Sequence, residues 1–307
     1  MRHSSASVNR SINNAPPDPQ LPTGGFISIL AHAKINLFLE VIGKRDDGYH
    51  NLVSVMQSLS LHDELTFCAC EQREVFLEAE DAPSHFPLDD SNLIIKAAKF
   101  LMNAYQMKHG VKIRLKKRIP MGAGLGGGSS NCAATLHGLN QFFNLNIPLH
   151  RLMEIGKTFG ADVPFCLMGG TALAQGIGEK LTPLPPHPHC YVVLACPGIH
   201  VSTKEIFSRL QLNKTNHCYH SAVTAIKKGQ LETIASSFYN GFTPVTSNIH
   251  PEIAELITHL KHLGALNASM TGTGSTVFGY FENENDAKMA CDRLDTQTFL
   301  TTIQRGL

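Results

Sequence analysis

The residues of this chain best equipped for chemistry stand in one segment, Pro120-Met121-Gly122-Ala123-Gly124-Leu125-Gly126-Gly127-Gly128-Ser129-Ser130, followed by Cys132, Leu136, Leu139 and Phe143 on one helical face. Glycine has no Cβ to hold an oxyanion away from backbone N–H groups, and the first turn of a helix adds free amides and a favourable dipole. A glycine loop that opens into a helix is therefore an anion site suited to phosphate. The bland alternative is a flexible turn, but linkers do not sit between a strand and a well-patterned helix. Ser129 and Ser130 can cap that helix or touch the phosphate. A Walker A loop is excluded because no Gly-Lys-Ser/Thr occurs here. Gly122, Gly124 and Gly127 satisfy GxGxxG, yet a dinucleotide fingerprint needs a hydrophobic strand before it and an acid about 20 residues later. Here the preceding strand is basic and ends in Pro120, and the later position is Asn140. Neither serine is followed two residues on by glycine, which removes a nucleophile elbow.

Two charged residues elsewhere are candidates. Lys34 lies in an apolar, strand-like run between Leu30 and Leu39, a costly place for an unpaired ammonium, so it implies an anionic partner. Asp162, a phosphate, or an acceptor whose pKa it lowers would serve; the alternative is an edge lysine with its head in water. Asp162 itself, after Gly160 and two residues before Pro164, is a candidate proton acceptor and also a candidate helix N-cap.

These groups must be held by the elements around them. Residues 1–25 carry four prolines, several Ser and Asn and few apolar side chains, and read as a disordered tail. Alternating apolar residues predict strands around 27–41 and 65–77. Ser91, then Leu93, Ala97, Phe100, Leu101 and Ala104, predict a helix over 91–106. Val111, Ile113 and Leu115 alternate with Lys112, Arg114 and Lys116, the pattern of a half-buried strand with a basic outer face, which runs into the glycine loop. Helical patterns follow near 130–143 and 149–159. After the proline-rich stretch 183–188 comes an apolar strand at 191–196, and the domain boundary is placed there, dividing 26–184 from 185–307. The second half holds a helix through Ile253, Leu256, Ile257 and Leu260 closed by Gly264, a Gly/Thr/Ser loop at 271–276 and a strand at 277–281. Strands and helices mix without regular alternation, which predicts an α+β fold rather than a doubly wound sheet.

At 307 residues the chain is long enough for two domains sharing a cleft, and 43% apolar with 17% charged residues argues against a disordered or fibrous chain. Lys+Arg 26 against Asp+Glu 25 leaves a net charge of +1, with no footprint for nucleic acid or an anionic membrane. The apolar stretch 26–42 is interrupted by His32, Lys34, Asn36 and Glu40 and is too short to span a bilayer. Eight scattered cysteines with no CxxC pair and no secretory signal predict reduced thiols in a cytoplasmic protein. Cys68 and Cys70 share one strand face and read as two buried thiols rather than a redox or metal pair. His187-Pro188-His189-Cys190 reads as a proline-rich loop, because neither HExxH nor paired Cys/His spacing supports a metal site.

The segment Pro-x-Gly-x-Gly-Leu-Gly-Gly-Gly-Ser-Ser resembles the phosphate loop of the GHMP kinase superfamily, the small-molecule kinases of galactose, homoserine, mevalonate and phosphomevalonate type. Ala33-Lys34-Ile35-Asn36-Leu37-Phe38-Leu39, followed by Gly43-Lys44-Arg45-Asp46-Asp47-Gly48-Tyr49-His50, resembles the opening signature of its branch that phosphorylates 4-diphosphocytidyl-2-C-methyl-D-erythritol in the non-mevalonate isoprenoid pathway. Gly160-Ala161-Asp162-Val163-Pro164-Phe165, Gly169-Gly170 through Gly176-Ile177-Gly178-Glu179, and Met270-Thr271-Gly272-Thr273-Gly274 resemble the later motifs of that branch.

The resemblance implies a two-domain GHMP kinase fold, with an N-terminal ATP-binding domain of ribosomal-protein-S5-like topology and a C-terminal ferredoxin-like α/β sandwich. It implies transfer of the ATP γ-phosphoryl group to the C2 hydroxyl of that acceptor, with Asp162 as general base, Lys34 stabilising charge and the loop 120–130 on the ATP phosphates. Asn92 and Lys117 match positions near the adenine, although a solvated charge run explains Lys117 nearly as well. Asn36, on the strand face of Lys34, would hydrogen-bond the polyol. Tyr49, His50, Thr203 and Phe207 would hold the cytosine, against a plainer reading of Tyr49-His50 as packing and Phe207 as core. Gly272, Thr273 and Gly274 would close near the phosphates and the acceptor. Mg²⁺ would arrive with ATP, held mainly by phosphates and water. Ala123, where many relatives have Gly, and Cys166, where an aromatic is common, depart from the pattern without touching this chemistry. The implied partners are small molecules, ATP and a cytidine-diphosphate-linked polyol, with no nucleic acid and no membrane, in a monomer or weak homodimer. Two competitors stay open: a GHMP kinase for homoserine or a mevalonate-type alcohol, which Gly48-Tyr49-His50 disfavours, and a non-catalytic ligand sensor on the same fold. A Rossmann oxidoreductase ranks third.

Overall fold

The computed structural model describes residues 25–211 and 218–304; apart from Gly25, the tail expected over 1–25 lies outside the described residues. The first half of the chain forms β1 (Ile27–Lys44), β2 (His50–Cys70), β3 (Val75–Glu80), α1 (Leu93–Ala104), β4 (Gly110–Lys116), α2 (Gly127–Phe142), α3 (Leu149–Lys157), α4 (Val163–Met168), β5 (Thr171–Gly176) and β6 (Lys180–Pro183). The second forms β7 (Tyr191–Cys196), α5 (Thr203–Arg209), α6 (Tyr219–Lys228), α7 (Leu231–Ser236), β8 (Tyr239–Asn240), α8 (Thr243–Ile249), α9 (Glu252–His262), β9 (Asn267–Met270), β10 (Val277–Phe281), α10 (Glu284–Arg293) and β11 (Gln297–Thr302). The larger sheet runs β3-β4-β2-β1-β8, with β5 pairing β2 and β6 pairing β5. The smaller runs β11-β7-β10-β9, antiparallel throughout, and its chain order of strand, helices, two strands, helix and strand is the ferredoxin-like plan.

Three features differ from the sequence expectation. β2 begins at His50, well upstream of 65, because 53–59 is buried on both faces and shows no period-2 alternation to read. The run 65–77 contains a turn, so that it ends β2 and begins β3. β8, only Tyr239 and Asn240, leaves the second half to pair in parallel with Phe38 and Leu39 of β1.

The layers follow from side-chain phase. Ala31, Leu65, Phe67, Val111, Ile113 and Leu115 of the larger sheet pack under α1 to α4. Ala33, Ile35 and Leu37 of β1 meet Val192, Leu194 and Cys196 of β7 in a core between the two sheets, together with Ile119, Ala123 and Leu125 of the glycine loop. Val193 and Ala195, on the opposite face of β7, pack against Ile206, Ile253, Leu260 and Ala287. The glycine loop is thus built into the seam between the two sheets.

Candidate active site

α2 opens at Gly127, with Gly126 as its N-cap in the left-handed region (φ 72°) and no side chain capping it. That conformation favours glycine, and so does the space: a Cβ at Gly126 would stand 2.9 Å from Cγ of Lys34. A Cβ at Gly124 (φ +77°) would stand 2.5 Å from the Thr271 carbonyl oxygen. The loop is therefore squeezed between the lysine stem on one side and the 271–274 loop on the other. The Lys34 amide donates to the Leu125 carbonyl at 3.0 Å, and the Thr276 amide to that of Ala123 at 3.3 Å. Ser130, expected at the phosphate or the cap, makes no side-chain cap on α2. Its hydroxyl donates to the His32 carbonyl (2.7 Å) and its amide to the Gly126 carbonyl, so it pins α2 to β1 while Ser129 faces the cavities.

Two of the cavities that touch this loop share its glycines. One, of about 410 Å³, is lined by residues 120–129 with Phe86, Pro87, Asn92, Leu93 and Lys117. The other, of about 380 Å³, is lined by Lys34, Asn36, Asp162, Thr203, Phe207, Phe242, Gly272 and Thr273. Gly124, Gly126 and Ser129 line both. A molecule with a phosphate chain in the first cavity reaches a molecule in the second across glycine.

The charged groups stand at that junction. Lys34 is 5% exposed; its ammonium donates to Oδ1 of Asn36 (2.8 Å) and lies 3.6 Å from Oδ2 of Asp162. Asp162 occupies the N-cap position of α4 but makes no capping bond, so its carboxylate is turned to Lys34 and the cavity instead. Asn36 is tied into the protein and also lines the second cavity: Oδ1 accepts from the Thr271 hydroxyl and the Gly272 amide as well, and Nδ2 donates one of its two N–H groups to Ser54. The structure thus places Asn36 as the tie between β1 and the 271–274 loop.

Phe207 and Phe242 of the second cavity meet at 4.8 Å, and the His50 ring, which does not itself line the cavity, lies 5.0 Å from Phe207; the hydroxyls of Thr203 and Thr273 stand 3.2 Å apart. Tyr49 is separate: it is 61% exposed on a turn braced by the Arg45–Asp47 ion pair. At the end of the first cavity Asn92 caps α1, accepting from the Ile94 amide and donating to the Pro87 carbonyl. Lys117 is buried, not part of a solvated run, and its ammonium pairs with Asp63 at 2.9 Å.

Sequence reading missed Asp63, Ser54 and Asn240. Asn240 donates to the carbonyls of Met270 and Gly272 and so holds the 271–274 loop from behind; nothing in a two-residue strand signals that. Asp63 had a signal, since it falls on the same strand face as Leu65 and Phe67. Cys68 and Cys70 are half-buried rather than buried. Burial pushes the Cys132 thiol up to about 12, and burial aided by the nearby Asp162 charge pushes Cys166 up as well, so neither is a nucleophile at neutral pH. Among the described residues no group of three His, Cys, Asp or Glu side chains is placed to hold a metal, and no helix is long and apolar enough to cross a membrane.

The chain matches the GHMP kinases N terminal domain over residues 92–170 and the GHMP kinases C terminal family over 222–299. It is 43% identical over 283 residues to the 4-diphosphocytidyl-2-C-methyl-D-erythritol kinase of Lachnoclostridium phytofermentans, covering 90% of this chain and 96% of that one. The enzyme of the same name from Pelotomaculum thermopropionicum is 45% identical over 269 residues, covering 87% and 93%. A crystal structure of 4-(cytidine 5'-diphospho)-2C-methyl-D-erythritol kinase superposes with a TM-score of 0.77 at 31% identity, over 90% of this chain and 99% of that one.

Proposed function

The chain belongs to the 4-diphosphocytidyl-2-C-methyl-D-erythritol kinases of the GHMP kinase superfamily, and from that premise we propose that it transfers the γ-phosphoryl group of ATP to the C2 hydroxyl of 4-diphosphocytidyl-2-C-methyl-D-erythritol. The observation that carries the reading is the meeting of two cavities on a glycine loop, with a lysine and a carboxylate at the junction. Phosphoryl transfer needs little covalent help from protein. It needs an acceptor in line and stabilisation of charge on the transferring group.

In this reading the first cavity takes ATP, with Asn92 and Lys117 at its inner end and the free amides of α2 on the phosphates. The acceptor lies in the second, its cytosine towards His50 and Phe207 and its polyol beneath Asp162. Tyr49 would have to swing in from solvent to join them. The acceptor oxygen attacks the γ-phosphorus, its proton passes to Asp162, and ADP leaves. In a loose transition state the proton leaves late, so a positioned carboxylate is enough to receive it. Lys34 orients that carboxylate and stabilises the charge that builds on the transferring oxygens. The described residues offer a cation no cage of three acidic or His/Cys ligands. They fit Mg²⁺ that would keep phosphate and water ligands, and such an ion would neutralise phosphate charge. The division into an ATP part (26–184) and an acceptor part (185–307), an effectively monomeric or weakly dimeric state and a cytoplasmic location belong to the same proposal.

The test is ADP release by purified protein with Mg-ATP and the cytidylyl acceptor, set beside the polyol lacking its cytidylyl group and beside homoserine. Turnover with the first alone is expected. Turnover with homoserine would keep the kinase and discard the nucleoside pocket, and ATP binding without turnover on any acceptor would favour a ligand sensor.

A further inference from the structure

We infer that Asp63 is a positioning residue for the ATP half of the reaction, acting through Lys117 and through the backbone that leads into the glycine loop. The inference rests on the kinase reading. Asp63 is fully buried, and it stands where the ladder between β2 and β4 ends: the last backbone pair is Glu64 with Lys116. One residue further the carboxylate takes over from the missing strand. Oδ1 accepts from the amides of Arg118 (2.7 Å) and Ile119 (2.8 Å), and Oδ2 accepts from the Lys117 ammonium (2.9 Å). Residues 117–119 are thus held in place up to Pro120, where the loop begins.

Strand phase explains why this pair exists. Lys112, Arg114 and Lys116 point outward and are exposed, whereas Lys117 falls on the inward phase of Ile113 and Leu115, as Asp63 falls on that of Leu65 and Phe67. A lysine left on an apolar face would turn its head to water. With Asp63 opposite, the ammonium stays inside, also donates to the Ile119 carbonyl, and sits 3.4 Å from where a Cβ of Gly127 would be, beneath the first turn of α2. A carboxylate this close to a site for a polyanion would weaken binding if it stood alone. Paired, it fixes a cation that lines the ATP cavity, and its own charge is spent on that cation and two amides.

The test compares Asp63→Asn with wild type by calorimetric Mg-ATP binding without acceptor, by acceptor binding, and by steady-state kinetics. The expected result is a dissociation constant for ATP raised about tenfold or more, with acceptor affinity and kcat within about twofold. Asp63→Asn should add little when Lys117→Met is already present. Equal weakening of ATP and acceptor, or unchanged ATP affinity in a folded variant, overturns the inference. Wild type that binds ATP but turns over no acceptor sinks the kinase reading and leaves the comparison of ATP affinities standing. If Asp63→Asn does not melt cooperatively, the Asp63→Glu variant, which keeps Lys117 and displaces the carboxylate, is judged by the same standard, and hydrogen exchange on wild type decides beside it. Arg118 and Ile119 amides protected like those of β4 support the role; exchange at open-loop rates removes it.

Discussion

The Lys34 ammonium and the Asp162 carboxylate stand 3.6 Å apart at the boundary of the two cavities, and they meet water unequally: the lysine side chain is 6% exposed, the aspartate 36%. The cation is fixed inside by Asn36 and by the glycine loop packed on its stem, while the anion is presented to whatever fills the second cavity. Such a pair is assembled before substrate arrives, so little reorganisation remains for the chemical step.

Asp162→Asn keeps the shape and removes the base. Turnover should fall by about 10²- to 10⁴-fold, the range for a positioned general base, with Mg-ATP affinity nearly unchanged. Single-turnover kinetics beside ATP binding checks both halves, and near-normal turnover would take Asp162 out of the mechanism.

Lys34→Met keeps the stem that packs on Gly126 and deletes the charge. We expect kcat to fall about 100-fold or more while the melting temperature changes little, because losing a buried ammonium also relieves its desolvation. A variant that loses several degrees of melting temperature and keeps its kcat would make Lys34 a structural residue.

The glycine loop, Lys34 and Asp162 were legible in the sequence because each breaks a local rule: consecutive glycines ahead of a helix, a lysine within an apolar strand, an aspartate beside Gly160 and Pro164. What holds them was harder to read. For Asn36, sequence does not disclose that Thr271 and Gly272, more than 230 residues away, share its side-chain oxygen. Ser130 looked like a cap because a cap and a helix-to-strand tie use the same hydroxyl, and only the proximity of β1 decides between them. β8 is too short to carry any period, and its pairing with β1 is set by tertiary packing alone.

Gly124→Ala tests the contact between the two loops. The new methyl would meet the Thr271 carbonyl at 2.5 Å and that of Gly274 at 3.1 Å, both backbone, at a φ of +77°. Strain and overpacking together should cost about 2–4 kcal/mol of stability and lower kcat/KM for both substrates, since both cavities share this residue. Unchanged melting and kinetics would mean that the loops part at no cost.

Acid should weaken the fold through two histidines. His32 and His137 line one small cavity with Ala133, Phe165 and Cys166, and burial lowers the pKa of each below the ordinary 6.5, against the Leu59 carbonyl bond that raises that of His32 and with a further lowering from His62. Between the lowered value and 6.5 the unfolded chain binds protons that the folded chain refuses, so stability present above about pH 6.5 is lost as pH falls below it. Melting temperatures at pH 7.5, 6.5 and 5.5 should therefore fall towards acid, and the fall should be smaller in His32→Gln, which retains a donor for the Leu59 carbonyl but cannot take up a proton. Carboxylates elsewhere contribute equally to both proteins, so the difference between them isolates His32, and parallel curves would show that the imidazole titrates as freely in the folded state as in the unfolded.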